Sequence, residues 1–385
     1  MNYIYPISFI TILLFLEGGL FFIQMFFLLF LYNRLRRTGK KSAVNSACAY
    51  PPISIIMVTK DYGKVLEKNL QVILKQDYPD FEVIVINDKS AGEDENILQQ
   101  LANQYNRLYY SFIPETARYV SRKKLGIAMG IRASHNEWLV FTEPDCSPTS
   151  TQWLKCLAKY FTQETEIVLG YSNYVPTKRL FSRWITTDIL FNSMRYLGMA
   201  LAGHPYMGIG RNLAYRKSLY EKNKGFHDHL QLLYGEDDLF INSVARKNNT
   251  KVATESDSVI LSTEPVNKRI WKVEKLGGMI TGRYYKGKAG IINSIETWTC
   301  AMFHLSAAVC ITIGIIQHAW IFAGTAFLFV LIRLIFVINL FRKTARQFKL
   351  RKGLSIFFFD LFRPLQSLWL QLSYMSCNKK EYYRK

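Results

Sequence analysis

One stretch of the chain decides its fold: Trp138-Leu139-Val140-Phe141-Thr142-Glu143-Pro144-Asp145-Cys146-Ser147-Pro148. The apolar run from Trp138 to Phe141 predicts a buried strand, and it ends abruptly in two acids separated by a proline. We therefore expect Glu143 and Asp145 to lie at the carboxyl end of the strand, where open α/β sheets bind their ligands. Two carboxylates at this spacing can share a hard divalent cation. The pattern alone is more typical of a strand followed by a capped turn, so the rest of the chain must decide.

The residues before this stretch predict alternating strands and helices. Apolar, β-rich runs at 53–58, 81–86 and 108–113 predict strands, and periodic apolar residues between them predict helices at about 66–76 and 94–105. Another helix is expected to open at Arg122-Lys123-Lys124. This alternation indicates βαβ units and a mostly parallel sheet. Further strands are expected at 166–174 and 251–263, with a long helix at 181–203.

Apolar segments at both ends of the chain predict membrane helices. Residues 4–32, 298–316 and 320–341 are each long enough to span a bilayer, and only Gln317-His318-Ala319 separates the last two. Basic clusters at 34–41 and 341–352 follow the first and last spans. Because Lys and Arg remain inside, the segment between the spans is expected in the cytoplasm. The segment 354–375 carries Asp360, Arg363 and Pro364, which favours an interfacial helix over a fourth span.

Charge and cysteine usage narrow the classes of function. The formal net charge is +20, which suits nucleic acid, an anionic membrane surface or a polyanionic substrate. Much of the basic excess flanks the apolar segments, and no nucleic-acid-binding motif is present, so the membrane is favoured and no nucleic-acid partner is expected. The six cysteines form no CxxC pair, which indicates reduced thiols without a zinc site.

Three acidic clusters, in order and spacing, carry a resemblance to a known family. They are Asp88, the Glu143/Asp145 pair and Glu236-Asp237-Asp238. Together they resemble the family 2 inverting glycosyltransferases of the GT-A fold over about residues 52–287, and the flanks resemble the membrane-anchored bacterial branch. The implied fold is α/β, a GT-A-like (Rossmann-like), mostly parallel sheet domain flanked by transmembrane helices. The implied segments are a membrane helix and basic linker at 1–45, a cytoplasmic catalytic domain at 46–290, and a helical hairpin, basic segment and interfacial helix at 291–385. The implied location is the bacterial inner membrane.

The resemblance implies a nucleotide-sugar donor, UDP- or GDP-linked, and a divalent metal, Mg²⁺ or Mn²⁺. Asp145 matches the metal-binding aspartate of the family's Asp-x-Asp motif, whose first acid is Glu143 here. The expected donor-binding residues match the family's motifs at Val58, Lys60, Asp88, Lys123, Lys124 and Glu143.

The acceptor side and the base follow from two further motifs. Gly210, Arg211 and Asn212 open the acceptor motif Gly-x-Asn-x-Ala-Tyr-Arg. Asp237 is the expected general base, with Glu236 and Asp238 beside it, for inverting hexosyl transfer to a lipid-linked or polysaccharide hydroxyl. Where processive members carry Gln-x-x-Arg-Trp, this chain has Glu274 and then Gly277-Gly278. Two alternatives therefore remain open, namely a non-catalytic membrane scaffold that retains the fold and a processive polysaccharide synthase.

Overall fold

The computed structural model describes residues 4–39, 50–88, 92–117, 121–175, 177–263, 267–350 and 356–378. The basic residues Lys40, Lys41, Arg351 and Lys352, Cys48 and the expected boundary at 45 lie outside these ranges. Within them, the strands are β1 (Ile53–Thr59), β2 (Phe81–Asn87), β3 (Leu108–Phe112), β4 (Trp138–Phe141), β5 (Cys146–Pro148), β6 (Ile167–Leu169), β7 (Ser172–Tyr174), β8 (Leu213–Arg216), β9 (Thr250–Val252) and β10 (Ile260–Ser262).

The helices alternate with the strands through the middle of the chain and dominate both ends. In the described part they are α1 (Ile4–Phe26), α2 (Asn33–Gly39), α3 (Lys64–Leu74), α4 (Glu93–Gln104), α5 (Arg122–Ala133), α6 (Trp153–Ala158), α7 (Leu180–Leu201), α8 (Lys217–Lys222), α9 (Asp238–Val244), α10 (Lys268–Thr281), α11 (Ala289–Ile316), α12 (Trp320–Gln347) and α13 (Ile356–Ser376). A π-helical segment, Phe27–Tyr32, joins α1 to α2.

The main sheet is mostly parallel, as expected. Its strand order is β3-β2-β1-β4-β8-β6-β9, and β1 pairs in parallel with both β2 and β4. β8 runs antiparallel to β4 and β6. Because Thr59 pairs with Asn87 and Ile56 pairs with Phe141, the carboxyl ends of β1, β2 and β4 lie at one edge. The loops that carry Asp88, Glu143 and Asp145 follow this edge.

A second sheet of three short strands holds the loop after β4. Its order is β5-β10-β7, and Ser262 of β10 pairs with Cys146 of β5. The strands expected at 166–174 and 251–263 are therefore each two strands, β6 with β7 and β9 with β10. The first change of sheet occurs at Gly170, where an added Cβ would lie 2.3 Å from the Asn212 side chain. This close approach requires glycine, and a continuous strand cannot pass it.

α5 lies unusually close to β1 because two of its residues lack side chains. A Cβ at Gly126 would lie 2.9 Å from Val58, and one at Gly130 would lie 2.7 Å from Ile56. The two glycines are four residues apart and so share one helix face. The first turn of α5, which carries Lys123 and Lys124, is thereby set beside the carboxyl end of β1.

Three helices of the described chain are long and apolar enough to cross a membrane. The corresponding segments are Thr11–Thr38, Ala289–Ile316 and Trp320–Gln347. α11 begins at Ala289, well before the expected start at Trp298, and so extends toward the sheet domain. α13 does not meet the same criterion, and it contains Pro364.

A buried polar and charged network connects the terminal helices. Its members are Gln24, Arg195, Glu296, Arg333, Asp360 and Arg363. Arg333 pairs with Asp360 through Nη1, and its Nη2 donates to Gln24 Oε1 at 3.1 Å. Arg363 forms a two-pronged pair with Glu296 at 2.7 and 2.9 Å. The second Glu296 oxygen also accepts from Arg195 of α7 at 2.5 Å. Arg333 thus has a partner within the bundle, as its position in an apolar helix demands.

The sheet domain and the terminal helices share one hydrophobic core. A single cluster of buried residues contains Leu31 of the π-helical segment, Ile56 of β1, Leu190 of α7, Phe303 of α11 and Phe359 of α13. The cluster thus includes residues on both sides of the boundary expected at 290.

Candidate active site

The loop after β1 is held by a buried acid from the next helix. Asp94, in the first turn of α4, accepts hydrogen bonds from Thr59 Oγ1 at 2.7 Å and from the Gly63 amide at 2.6 Å. Asp94 is only 1% exposed. The sequence does not predict this role for Asp94, because nothing in its local pattern distinguishes it from the neighbouring surface acids of α4. It fixes the segment 59–63, which includes the expected donor contact Lys60.

Asp88 lies at the end of β2 between two cations. Arg122 Nε donates to its Oδ1, and Lys60 Nζ lies 3.4 Å from its Oδ2. The expected neighbours Asp88 and Lys60 are therefore brought together. Arg122 was treated only as the start of a helix, although its side chain is the nearer partner. The three side chains form one polar wall at the sheet edge.

Lys123 joins the two acidic motifs. Its ammonium lies 2.7 Å from Glu143 Oε1 and 3.0 Å from Glu236 Oε1. Burial alone would lower the pKa of Lys123, but the surrounding carboxylates of Glu143, Glu236 and Asp237 outweigh it and raise the pKa well above its usual value. Lys123 therefore remains charged and holds the loop after β4 against the loop before α9.

Lys124, the next residue, points elsewhere. Its ammonium donates to the carbonyl oxygens of His229, Leu232 and Tyr234 at 2.7 to 2.8 Å and is fully occupied by them. Burial lowers the pKa of Lys124 to about 8. The expected donor contact by Lys124 is thus replaced by a positioning role, because all three of its protons hold the loop that leads to Glu236.

Glu143 and Asp145 form the candidate metal site with Cys146, and their ligand atoms lie within 4.8 Å of one another. Asp145 Oδ2 accepts from Ser262 at 2.5 Å, whereas Oδ1 faces the Cys146 thiol at 3.4 Å. Burial raises the pKa of Cys146 well above its usual value, so its thiol stays protonated and is a poor ligand for a hard cation. Asp145 Oδ1, which only the thiol contacts, fits Mg²⁺ or Mn²⁺, whereas both oxygens of Glu143 are paired with Lys123 and Arg211.

The side chain of Arg211 bridges the metal motif to α10. Arg211 Nε donates to Glu143 Oε2 at 2.9 Å, and its Nη2 donates to Glu274 at 2.5 Å and to the Tyr174 hydroxyl at 2.9 Å. Burial raises the pKa of Glu143, but Lys123 and Arg211 together reverse the shift and lower it to about 2. Glu143 is therefore a neutralised, fixed carboxylate.

The other two residues of the acceptor motif face different ways. The Gly210 amide donates to Asp237 Oδ2 at 2.7 Å, so it positions that carboxylate. Asn212 donates to two backbone carbonyls at 2.8 Å and accepts from Trp153 Nε1 at 3.1 Å. Its amide is buried and fully bonded, so Asn212 fixes the backbone beneath the site instead of facing a ligand.

Glu236, Asp237 and Asp238, at the start of α9, all line the cavity, but their contacts differ. Asp238 Oδ2 accepts from Thr281 at 2.5 Å and from Tyr285 at 2.8 Å, which ties it to the wall. One oxygen of Glu236 pairs with Lys123, and the other is buried with no partner among the described residues. Burial, together with the charges of Glu236 and Asp238, raises the pKa of Asp237 to about 7.

One cavity of about 480 Å³ lies between the sheet edge and α10. It is lined by Lys123, Glu143, Arg211 and Asp237, and Gly278 forms part of the opposite wall. A Cβ added at Gly278 would meet nothing within 4 Å, so this glycine leaves open space there, whereas a Cβ at Gly277 would lie 3.3 Å from Tyr234.

Known proteins resemble both the sequence and the fold. Residues 54–223 match the family model described as glycosyl transferase family 2. No curated protein matches the chain in sequence. The mannosyltransferase PcManGT from Pyrobaculum calidifontis, solved with GDP-Man and Mn²⁺, is similar with a TM-score of 0.55 and 17% identity, over 89% of this chain and 100% of its own. The S. aureus TarS 1–349 fragment in complex with UDP-GlcNAc has a TM-score of 0.42 and 18% identity, over 86% and 93% of the two chains.

The family match covers the strands and loops that carry Asp88, Lys123, Glu143, Asp145 and Arg211. The likeness to PcManGT, at low identity, shows the fold. Residues 54–223 thus match glycosyl transferase family 2, and the chain has the GT-A fold joined to three helices long and apolar enough to cross a membrane.

Proposed function

We propose that the protein is a membrane-anchored, inverting glycosyltransferase. It moves a hexosyl group from a nucleotide-diphosphate donor to a hydroxyl of a lipid-linked or polysaccharide acceptor. The observation that carries this proposal is the placement of Asp237, whose pKa is raised to about 7, in the cavity that also contains Glu143 of the metal motif. A carboxylate with this pKa accepts a proton effectively near neutral pH.

The reaction needs no covalent intermediate on the protein. Asp237 takes the proton of the acceptor hydroxyl while that oxygen forms its bond to the anomeric carbon of the sugar. The bond between the anomeric carbon and the diphosphate oxygen breaks on the opposite face, and its electron pair leaves with the nucleoside diphosphate. The Gly210 amide holds Asp237 in place during this transfer.

Asp145 is the residue proposed to hold a divalent metal, with Glu143 beside it. A bound Mg²⁺ or Mn²⁺ would neutralise charge on the departing diphosphate. PcManGT was solved with GDP-Man and Mn²⁺, which supports a nucleotide sugar and a metal for this chain. Lys60, Asp88 and Arg122, which form the polar wall at the sheet edge, are proposed to contact the nucleoside, with Val58 beneath them.

The proposed location is the bacterial inner membrane, with the sheet domain in the cytoplasm. The support is the three candidate spans and the basic residues that follow the first and last of them. α13, which is not among those spans, is proposed to lie in the interface.

The test is donor turnover by the purified full-length chain in lipid nanodiscs. A panel of UDP- and GDP-sugars is supplied with Mn²⁺ and with an alkyl glycoside or a soluble polysaccharide as the acceptor, and released nucleoside diphosphate is measured. Asp237→Asn should reduce release to background, whereas Glu221→Gln, an exposed acid on α8, should behave as wild type. Binding of a nucleotide sugar without release under any condition would favour the non-catalytic scaffold. Products that lengthen without dissociating would favour the processive synthase.

A further inference from the structure

A groove of about 580 Å³ runs along the outer face of α11. One wall consists of Ile291, Ser294, Ile295 and Trp298. These residues recur at intervals of three or four, so they form one face of the helix. The face belongs to a helix that is apolar and long enough to span a membrane.

The floor of the groove is open because three glycines line it. A Cβ added at Gly282, Gly287 or Gly290 would meet nothing within 4 Å. Gly287 has a φ of +92°, a backbone conformation that side chains disfavour, so this part of the floor is held free of a side chain. The groove is therefore a concavity built by the backbone.

The groove adjoins the catalytic cavity. Tyr285 lines both, and its hydroxyl donates to Asp238 at 2.8 Å, next to the proposed base. Asn293 of α11 lines the cavity, whereas Ser294 and Ile295 line the groove. α11 thus presents one face to the reacting groups and the adjacent face to the surroundings of the helices.

Exposed apolar side chains are ordinary on a helix of this kind, so apolarity alone identifies no ligand. Its position beside the cavity, with Tyr285 lining both, is what distinguishes this surface. Ile291 is 62% exposed and Trp298 is 59% exposed, and no charged residue is among the nine that line the groove. A hydrocarbon chain suits such walls, whereas a polysaccharide would find only the hydroxyls of Tyr285, Ser294 and Thr299 for its many hydroxyl groups.

We propose that the acceptor is an amphiphile whose hydrocarbon chain lies in the groove along α11. Its hydroxylated head group reaches the cavity past Tyr285 and stands before Asp237. This inference rests on the proposed function and selects the lipid-linked class from the two classes of acceptor named there.

The probe is a dodecyl glucoside that carries a diazirine in its alkyl chain, added to the full-length protein in nanodiscs. After irradiation, labelled peptides are mapped by mass spectrometry. Labelling should concentrate on 285–299. Ile295→Trp fills the groove and should reduce that labelling at least tenfold, since each buried methylene contributes roughly fourfold in affinity. Leu328→Trp is the matched control: Leu328 on α12 is 49% exposed against 47% for Ile295, and labelling should not change.

A second variant tests the link to the cavity. Gly278→Leu adds bulk only inside the cavity, so it should also weaken labelling of 285–299 if head group and chain belong to one site. Equal labelling of all exposed faces of α11 and α12 would overturn the proposal, as would labelling insensitive to Ile295→Trp or to Gly278→Leu. Release of nucleoside diphosphate from the donor panel in the presence of an acceptor, measured on the same samples, separates the two proposals. No release from the wild type with any acceptor would refute the transferase, while specific labelling would still report the groove.

Discussion

The activity of this protein should depend on the ionisation of Asp237. Burial raises the pKa of Asp237 to about 7, and the neighbouring charges of Glu236 and Asp238 add to the shift. Lys123 and the Gly210 amide act in the opposite direction, and the nearby tyrosines, which titrate far above neutral pH, stay uncharged. Because only the ionised carboxylate accepts a proton, kcat/KM should rise about tenfold per pH unit below pH 7 and level off above it.

The expected change in the pKa of Asp237 in the variant Glu236→Gln follows from the same contacts. The shift from 3.8 to about 7 corresponds to roughly 4 kcal/mol, at about 1.4 kcal/mol per pKa unit. Burial is the largest cause and Glu236 the second, so removing the Glu236 charge should lower the pKa of Asp237 by about one unit. Glu236→Gln also frees Lys123 from its 3.0 Å contact, and the freed ammonium acts in the same direction. The midpoint of the profile should move from about pH 7 to about pH 6.

The assay is nucleoside diphosphate release from about pH 5 to about pH 9 at constant ionic strength, with the wild type, Glu236→Gln and the surface control Glu221→Gln. The control should reproduce the wild-type midpoint. A wild-type profile that is flat across pH 7 would refute the assignment of the base. A midpoint that stays in place in Glu236→Gln would refute the electrostatic reasoning.

Three further substitutions test other parts of the structure. Asp145→Ala should weaken nucleotide-sugar binding in Mn²⁺ at least about tenfold in calorimetric titrations, while binding in a chelator stays the same. Lys124→Met should lower kcat/KM by about a hundredfold, because it removes the hydrogen bonds to three carbonyl groups of the loop before Glu236. Unchanged kinetics would show that the loop keeps its conformation without Lys124. Arg333→Met should cost about 3–5 kcal/mol of stability, seen as a lower Tm in detergent, because buried Asp360 loses its arginine partner and keeps only the weaker 3.7 Å contact with His304. The double variant with Asp360→Leu should recover much of that loss, and an equally low Tm would contradict the explanation.

The strands that form the centre of the sheet are predictable from their composition. β1, β2 and β4 are buried on both faces, so each is a continuous apolar run that ends where polar residues begin. The short strands β6, β7, β9 and β10 were expected as two longer ones. Their boundaries depend on contacts between distant residues, such as the approach of Asn212 to Gly170, which no local pattern contains.

In the candidate site, too, features set by local sequence could be predicted, whereas features set by contacts between distant residues could not. The acids of the three motifs could be named because their spacing is local, and the structure places Glu143, Glu236 and Asp237 around Lys123. The sequence does not distinguish Lys123 from Lys124. Adjacent residues differ by about 100° around a helix, so one side chain reaches the cavity and the other reaches the loop behind it. Pairs such as Arg211 with Glu274 arise only when α10 folds against the sheet.

The common core of sheet domain and terminal helices determines what this protein can reach. A catalytic domain joined to its anchor by a flexible linker can reach partners at many heights above a surface. Here Leu31, Ile56 and Phe359 belong to one packed cluster, and Glu296 of α11 holds Arg195 of the cavity wall directly. The domain is therefore fixed to these helices. At the proposed membrane location it would stay at one height above the bilayer and move only by lateral diffusion, so a proposed acceptor would have to present its hydroxyl group at that height.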